Sequence, residues 1–134
     1  MEGAMASVAL TKENIEDVIR SDNMVIVDFW ADWCEPCKTF GPTFEKISDA
    51  HPDVTFAKVD VEAEAELAQS FGVRSIPTVA VLRDRVVLFN QAGALPESDL
   101  ESVVSQGKAV DMAEVHQEIE RQQQAEAAGG NGAA

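Results

Sequence analysis

The sequence contains little cysteine. Only Cys34 and Cys37 occur among its 134 residues, which is too few for the disulfide framework of a small secreted domain. A structural zinc site would need two more ligands than this pair offers. The only histidines, His51 and His116, lie far apart in the sequence and follow no ligand pattern. The sequence therefore predicts no metal site.

Basic residues are also scarce. Ten Lys and Arg stand against 24 Asp and Glu, which gives a formal net charge of −14. Proteins that bind nucleic acid need a basic surface, and an anionic membrane surface repels an acidic protein. We therefore expect neither nucleic acid nor membrane as a partner. The acidic excess is interpreted first as a solubilising surface, with weak steering of basic partners as the alternative.

Long apolar runs are absent. No segment approaches the ~20 apolar residues that a membrane-spanning helix needs. Residues 1–10 contain no Lys or Arg and no long apolar stretch, so they make a poor secretory signal. These features predict a cytoplasmic location.

The apolar pattern alternates between the periods of strands and of helices. The run 24–30, Met-Val-Ile-Val-Asp-Phe-Trp, is almost entirely apolar and is typical of a buried central strand. Further strands are predicted at 7–10, 54–59, 79–82 and 86–89, and helices around 15–19, between 34 and 51, and over 60–71 and 96–105. The pattern predicts an α/β domain with a central mixed sheet flanked by helices on both faces.

The composition changes near the C-terminus. Residues 109–124 have helical composition, but their apolar stripe consists only of Met112, Val115 and Ile119. Residues 125–134 are mainly Ala, Gly and Asn, a composition typical of disorder. We therefore expect one domain over 7–108, followed by an acidic C-terminal tail, 109–134, that is partly helical and then disordered.

The two cysteines lie where the predicted central strand ends and a helix begins. A helix N-terminus carries partial positive charge and unpaired N–H groups, which favour a thiolate at Cys34. Cys37 lies about one helical turn further on and on the same side, so it can attack a mixed disulfide formed by Cys34. Pro36 suits the first helical turn. The alternative is a pair of buried, inert cysteines, which a setting among Trp33, Glu35 and Pro36 does not favour.

The segment Val-Asp-Phe-Trp-Ala-Asp-Trp-Cys-Glu-Pro-Cys-Lys over 27–38 resembles the active-site segment of the thioredoxin family. Pro42, Lys58, the run Ile-Pro-Thr at 76–78 and Gly93 fall at matching positions further along the chain. The resemblance covers roughly residues 7–108 and implies the thioredoxin fold. It also implies that Cys34 attacks a target disulfide and that Cys37 resolves the mixed disulfide.

Other residues carry roles that the resemblance implies. Asp28 lies in an apolar strand, where burial raises the pKa of a carboxyl group, and it corresponds to the proton acceptor for Cys37; Lys58 corresponds to the lysine near that carboxylate. A position at a sheet edge is the alternative for Asp28. Pro77 corresponds to a cis-proline that presents the backbone of Ile76 to an extended substrate segment. The remaining substrate-binding residues that we expect are Trp33, Glu35, Pro36, Gly93 and Ala94.

The resemblance predicts a general protein disulfide reductase with no bound cofactor. Its redox-active Cys34–Cys37 disulfide would be reduced by a flavoprotein thioredoxin reductase, so that NADPH is used indirectly, and the partners would be that reductase and disulfide-containing proteins. We expect a monomer. One alternative is an interaction module of the same fold whose tail binds a partner. An oxidase or isomerase is another alternative. Such enzymes often carry His between the two cysteines, and this chain has no His there.

The chain departs from the family pattern in three places. Glu35 stands where thioredoxins most often have glycine, and an acid beside a thiolate opposes the effect of the helix dipole. The predicted hairpin turn, Arg-Asp-Arg at 83–85, contains no glycine. The tail after Lys108 lies beyond the usual end of the family.

Overall fold

The computed structural model describes residues 7–21 and 24–133, so most of the segment interpreted above as a poor secretory signal lies outside it. Within those ranges the elements, in chain order, are β1 (Val8–Ala9), α1 (Ile15–Ser21), β2 (Met24–Trp30), α2 (Glu35–Ala50), β3 (Thr55–Asp60), α3 (Ala65–Ser70), β4 (Thr78–Arg83), β5 (Val86–Ala92), α4 (Glu97–Ala109) and α5 (Met112–Ala133).

The strands form one mixed sheet in the order β1-β3-β2-β4-β5. Strand β3 pairs in parallel with β1 and β2, whereas β4 pairs antiparallel with β2 and β5. Strand β2 lies at the centre, and all of its residues are buried except the half-buried Trp30. The predictions of a buried central strand and of a mixed sheet are confirmed.

Alternation along β2 divides the core between the two faces of the sheet. Met24 and Ile26 pack with the apolar side chains of α2 and α4, among them Phe44. Val25, Val27 and Phe29 pack on the opposite face with residues of α1 and α3. Each large side chain buried in this way contributes about 1.5–3 kcal/mol. The same alternation directs Asp28 toward the face that α2 covers.

Helix α3 is much shorter than the helix predicted over 60–71, since it begins only at Ala65. The Asp60 side chain accepts hydrogen bonds from the backbone N–H groups of Glu62 and Ala63, at 2.9 and 3.3 Å. An Asp side chain that satisfies nearby N–H groups in this way offers the backbone an alternative to the helix. Local side-chain bonding at Asp60 therefore delays the start of α3.

Helix α4 is longer than predicted because it continues through Gly107 to Ala109. Gly107 is buried, and a Cβ at this position would lie 2.6 Å from Cε of Met24 and 3.4 Å from Cγ1 of Val81. The absence of a side chain lets the last turns of α4 lie close against the sheet. This glycine serves packing rather than helix termination.

The β4–β5 hairpin turns without glycine, as the sequence indicates. Asp84 and Arg85 both adopt positive φ, at 51° and 70°. Two residues with positive φ are what the tightest hairpin turns require, and Asp accepts this conformation better than most other residues. The turn is therefore built from residues that are not the usual choice for it.

Helix α5 extends from Met112 to Ala133, further than expected for a segment predicted to be disordered from residue 125. Alanine, which is frequent after residue 124, has the highest helix propensity. Only Met112 is buried, Val115 and Ile119 are half-buried, and the rest of the helix through Ala127 is exposed. The stripe is therefore as thin as predicted. The boundary between a domain and a tail at residues 108 and 109 stays a prediction.

The junction between α4 and α5 is held by Arg83, at the end of β4. Its Nη1 donates to the backbone carbonyls of Gly107, Lys108 and Val110, at 3.0, 3.1 and 3.0 Å. These carbonyls lie at a helix C-terminus, where intrahelical donors are missing. One guanidinium thus satisfies the end of α4.

Over the described ranges, the helices are too short or too polar to cross a membrane.

Candidate active site

The site is built where β2 ends and α2 begins. Cys34 is the N-cap of α2, with extended backbone angles (φ −94°, ψ 109°), and its sulfur accepts a hydrogen bond from the backbone N–H of Cys37 at 3.2 Å. Pro36 occupies the first turn, where its missing N–H would have no intrahelical acceptor. The sulfur of Cys34 therefore lies at the positive end of the helix dipole, which stabilises a thiolate there.

Cys34 and Cys37 are joined in a disulfide, and their Cα atoms are 5.2 Å apart. Each is only 4% exposed, and they pack in a small cluster with Ala31, against which Ile76 also packs. The described part of the chain contains no free cysteine. The pair is a redox couple of two cysteines one helical turn apart, as the sequence predicts.

Asp28 is fully buried in the central strand, which excludes the alternative of a sheet-edge position. Neither carboxylate oxygen has a hydrogen-bond partner among the described residues. The pKa of Asp28 is raised to about 7, with burial as the main cause; the positive charge of Lys58 acts to lower this pKa, and the negative charge of Glu45 acts to raise it. Asp28 therefore titrates near neutral pH, where a proton acceptor is most useful.

Lys58 lies beside Asp28 because the two are register partners on the parallel strands β2 and β3. Its ammonium group lies 5.3 Å from the centroid of the Trp30 ring, a cation–π distance. A cavity of about 410 Å³ beside the cysteines is lined by Trp30, Lys58 and Cys37, together with residues of the loop and of α2: Ala31, Asp32, Lys38, Gly41, Pro42 and Glu45. Lys58 and Cys37 thus border one common space.

A second group of predicted residues forms a surface around Pro77. The Ile76–Pro77 peptide bond is cis, and the Pro77 carbonyl accepts a hydrogen bond from the N–H of Gly93 at 2.8 Å. Gly93 and Ala94 are exposed, and Gly93 adopts φ +114°, a conformation that favours glycine. Ile76 packs against the cysteine cluster, so this surface adjoins the disulfide.

Trp33 is 63% exposed, which is unusual for a large aromatic residue. Its indole Nε1 donates to the Glu62 carboxylate at 3.0 Å. Trp33 and Ile76 line a groove of about 380 Å³ whose other walls are Val61, Ala68, Val73, Arg74 and Ser75. The exposed indole is therefore held at one wall of an apolar groove beside the disulfide.

Glu35 projects into solvent. Its side chain is 84% exposed, and its carboxylate lies 3.4 Å from Nζ of Lys38. An exposed pair of this kind is worth little. Glu35 is thus close in sequence to Cys34 but strongly screened by water and by a neighbouring cation.

Two residues of the site were not predicted from the sequence. Glu62 anchors Trp33, and Glu45 lines the cavity that Cys37 and Lys58 share. Cys37, Gly41 and Glu45 follow one another at intervals of four, which places them on one helix face, so this spacing could have identified Glu45. No sequence pattern marks Glu62 as the partner of Trp33. Residues 7–21 and 24–133 contain no group of three or more His, Cys, Asp or Glu arranged to hold a metal ion.

Comparison with known proteins shows that the chain resembles thioredoxins in sequence and in structure. The Thioredoxin family model matches residues 6–106. The chain is 49% identical over 118 residues to a protein named thioredoxin 2 in Streptomyces coelicolor, covering 88% of both chains. It is 40% identical over 99 residues to a thioredoxin of Malassezia sympodialis, covering 72% of this chain and 93% of the relative.

The solved structures agree with the sequence relatives. The thioredoxin structure from Malassezia sympodialis superposes with a TM-score of 0.72 at 35% identity, covering 81% of this chain and 96% of that one. A mutant thioredoxin from Halobacterium salinarum gives a TM-score of 0.73 at 26% identity, covering 83% and 99% of the two chains.

Proposed function

Because this chain belongs to the thioredoxin family and is a dithiol–disulfide oxidoreductase acting on protein disulfides, we propose that it works as a general disulfide reductase supplied with electrons by a thioredoxin reductase. The observation that carries this proposal is the placement of the Cys34 sulfur at the N-cap of α2, with Cys37 one turn behind it. A buried carboxylate on the adjoining strand completes the arrangement.

The first step uses the dithiol form. The Cys34 thiolate attacks one sulfur of a substrate disulfide, that S–S bond breaks, and the second substrate sulfur leaves as a thiolate that takes a proton from water. A mixed disulfide between Cys34 and the substrate results. The N-cap position favours this step because the helix N-terminus stabilises the attacking thiolate.

The second step releases the substrate. Cys37 transfers its proton to the Asp28 carboxylate, and its sulfur attacks that of Cys34. The mixed-disulfide bond between Cys34 and the substrate breaks as the Cys34–Cys37 disulfide forms, and the remaining substrate sulfur leaves as a thiolate that takes a proton from water, so both substrate sulfurs are reduced. Two electrons have then passed from the protein to the substrate. The proton transfer is supported by the Asp28 pKa of about 7, since such a group accepts a proton at neutral pH and can later return it.

Substrate docking is proposed at the surface around Pro77. An extended segment next to the target cysteine would pair with the backbone at Ile76 in the manner of an added strand. The exposed Trp33, Gly93 and Ala94 would flank that segment, and Glu35 and Pro36 would contact it from the start of α2. The support is the adjacency of Ile76 to the cysteine cluster and the groove between Trp33 and Ile76.

Re-reduction of the Cys34–Cys37 disulfide needs two electrons from outside the chain. We propose that a flavoprotein reductase fed by NADPH provides them, so that NADPH is used only indirectly. The cytoplasm is the proposed location, since a reducing compartment suits a chain with a single, reactive cysteine pair. A monomer is supported by the scattered large apolar side chains exposed in the described part of the chain, Val8, Trp33 and Val87.

The test is NADPH consumption in a mixture of this protein, thioredoxin reductase and an insulin-type disulfide substrate. We expect consumption that depends on both the protein and the substrate, and none with the double variant in which Cys34 and Cys37 are serine. Substrate reduction by dithiothreitol-reduced protein without any NADPH-coupled turnover would contradict the proposed electron donor, while leaving the oxidoreductase activity in place. The alternative in which the tail makes the chain an interaction module has no support among the relatives described above.

A further inference from the structure

A second carboxylate lies near enough to the buried Asp28 for its charge to raise the Asp28 pKa. Glu45, on α2, lines the cavity that Cys37 and Lys58 also border. One of its carboxylate oxygens, Oε1, is buried and has no hydrogen-bond partner among the described residues, as is true of both oxygens of Asp28. The other oxygen, Oε2, accepts a hydrogen bond from the Ser7 hydroxyl. One oxygen of Glu45 is therefore held by Ser7, while the other is buried without a partner.

An unpartnered buried carboxylate oxygen is unfavourable, so these three oxygens call for an explanation. Among the described residues that line this cavity, two carry a positive charge, Lys38 and Lys58. Among the ion pairs within 4.0 Å in the described ranges, none includes Lys58. In the described ranges, Lys58 therefore forms no close ion pair with either Asp28 or Glu45, although it lines the same cavity as Glu45.

We propose that Glu45 is a positioning residue for the redox reaction: its negative charge competes with Asp28 for Lys58 and so keeps Asp28 a strong enough base to receive the Cys37 proton. This inference rests on the proposed role of Asp28. The charged and titratable groups around Asp28 are Lys58 from β3 and, from α2, Glu45 and the cavity-lining Cys37. On β4, its register partner is the apolar Val79.

The electrostatics of the cluster agree with this assignment. Burial is the largest cause of the raised Asp28 pKa, Lys58 opposes it, and Glu45 adds to it. Without Glu45, Lys58 would stabilise the Asp28 carboxylate with no competition, and Asp28 would become a weaker base.

The experiment follows Asp28 by carboxyl carbon NMR in the oxidised protein, with no substrate present. Glu45→Gln removes the charge but keeps the size and an acceptor for Ser7. We expect the Asp28 midpoint to fall by about half a pH unit or more. Asp49→Asn is the matched control, because Asp49 is an exposed acid on the same helix; it should leave the midpoint unchanged. Equal midpoints in wild type and in Glu45→Gln would overturn the proposal.

A packing effect is separated from a charge effect by Glu45→Asp, which keeps the charge. The Asp28 midpoint of this variant should stay closer to wild type than to Glu45→Gln; equal shifts in both variants would overturn the proposal. The pH dependence of mixed-disulfide resolution should move down with the midpoint in Glu45→Gln. If Asp28→Asn resolves mixed disulfides at wild-type rates, the proposed proton transfer fails, whereas the NMR midpoints still report whether Glu45 acts on Asp28.

Discussion

Asp28 and Lys58 are register partners on neighbouring parallel strands, yet the Asp28 carboxylate accepts no hydrogen bond from any described residue. The lysine side chain instead carries its ammonium group to the face of Trp30. The two charges are therefore close without neutralising each other. A carboxylate left in this state is unfavourable for folding and well suited to exchanging a proton.

Asp28→Asn should make the fold more stable at high pH. Raising the pKa of Asp28 from 3.8 to about 7 means that the folded state holds the proton more tightly, so stability falls as pH rises from about 4 to about 7 and stays low above that. The penalty at pH 8 is about 4 kcal/mol. An unpartnered Asn amide costs about 1–3 kcal/mol, so the net gain should be about 2 kcal/mol at pH 8 and vanish near pH 5. Urea unfolding at both values measures it.

The same variant should slow disulfide exchange near neutral pH, because Cys37 loses the proton acceptor that we propose for it. The rate of mixed-disulfide resolution, followed by stopped flow between pH 6 and 9, measures this effect. Wild-type rates over the whole range would show that Asp28 accepts no proton in the reaction.

The two cysteines should respond differently to replacement by serine. Cys34→Ser should abolish turnover, since Cys34 alone holds the N-cap position of α2. Cys37→Ser should instead accumulate mixed disulfides, because the resolving thiol is gone. Mass spectrometry of proteins captured from a cell extract checks this, with the Cys34→Ser, Cys37→Ser double variant as control. Equal capture by the double variant would count against the mechanism.

Glu35→Gly should make the redox couple slightly less reducing. The wild-type carboxylate beside Cys34 disfavours the thiolate and thus the reduced form. One pKa unit corresponds to ~1.4 kcal/mol, or ~30 mV for two electrons, and the exposure of Glu35 and its contact with Lys38 reduce the effect below that limit. Equilibration with a glutathione buffer measures the potential; a variant as reducing as wild type or more so would refute the electrostatic explanation.

Removing residues 114–134 should leave catalysis unchanged, since the described side chains of α5 beyond Met112 are half-buried or exposed. A deletion from residue 109 should also preserve the rate but lower stability, because it removes the buried Met112 and the Arg83 contact to Val110. Insulin reduction and thermal unfolding of both truncations separate the two effects. Strong amide-exchange protection throughout 112–124 would contradict a weakly packed α5 and favour a partner-binding role.

Two helical glycines should differ in their tolerance of alanine. Gly41→Ala should stabilise the protein by about 0.5–1 kcal/mol, since the nearest atom to its new Cβ would be Nζ of Lys58 at 3.8 Å. Gly107→Ala should gain less or lose stability, because Met24 must move away from a contact of 2.6 Å. Chemical denaturation of the pair measures the difference, and a larger gain at Gly107 would show that the end of α4 is not tightly packed.

Much of the fold was readable from local patterns. The run 24–30 predicts a central strand because nearly all of its residues, on both faces, are apolar. The cysteine pair predicts the start of α2. The late start of α3 cannot be predicted from the spacing of apolar residues. It depends on hydrogen bonds from nearby backbone N–H groups to the Asp60 side chain, which compete with helix formation. The continuation of α4 through Gly107 cannot be predicted for a different reason. In the sequence, a glycine required for close packing against Met24 looks the same as a glycine that ends a helix.

In the candidate site, the sequence pointed to the cysteines and to Asp28 and Lys58, whose proximity the register of β2 and β3 confirms. The role of Glu45 could not be read in the same way, because an acid in a helix is usually a solvated one. The intervals of four from Cys37 through Gly41 place Glu45 on the helix face of the cysteine, but the packing of α2 over the sheet is needed to show that this face borders the cavity with Lys58.

The Arg83 contacts have a practical consequence. Strand β4 begins at Thr78, next to Pro77 and the proposed substrate surface, and ends at Arg83, where the guanidinium holds the α4–α5 junction. Five residue steps along a strand span roughly 17 Å, so α5 begins at the end of the sheet opposite to the disulfide. A bead or a protein fused at the C-terminus would therefore leave access to the disulfide unobstructed. Immobilised protein should then reduce soluble substrates as readily as free protein does.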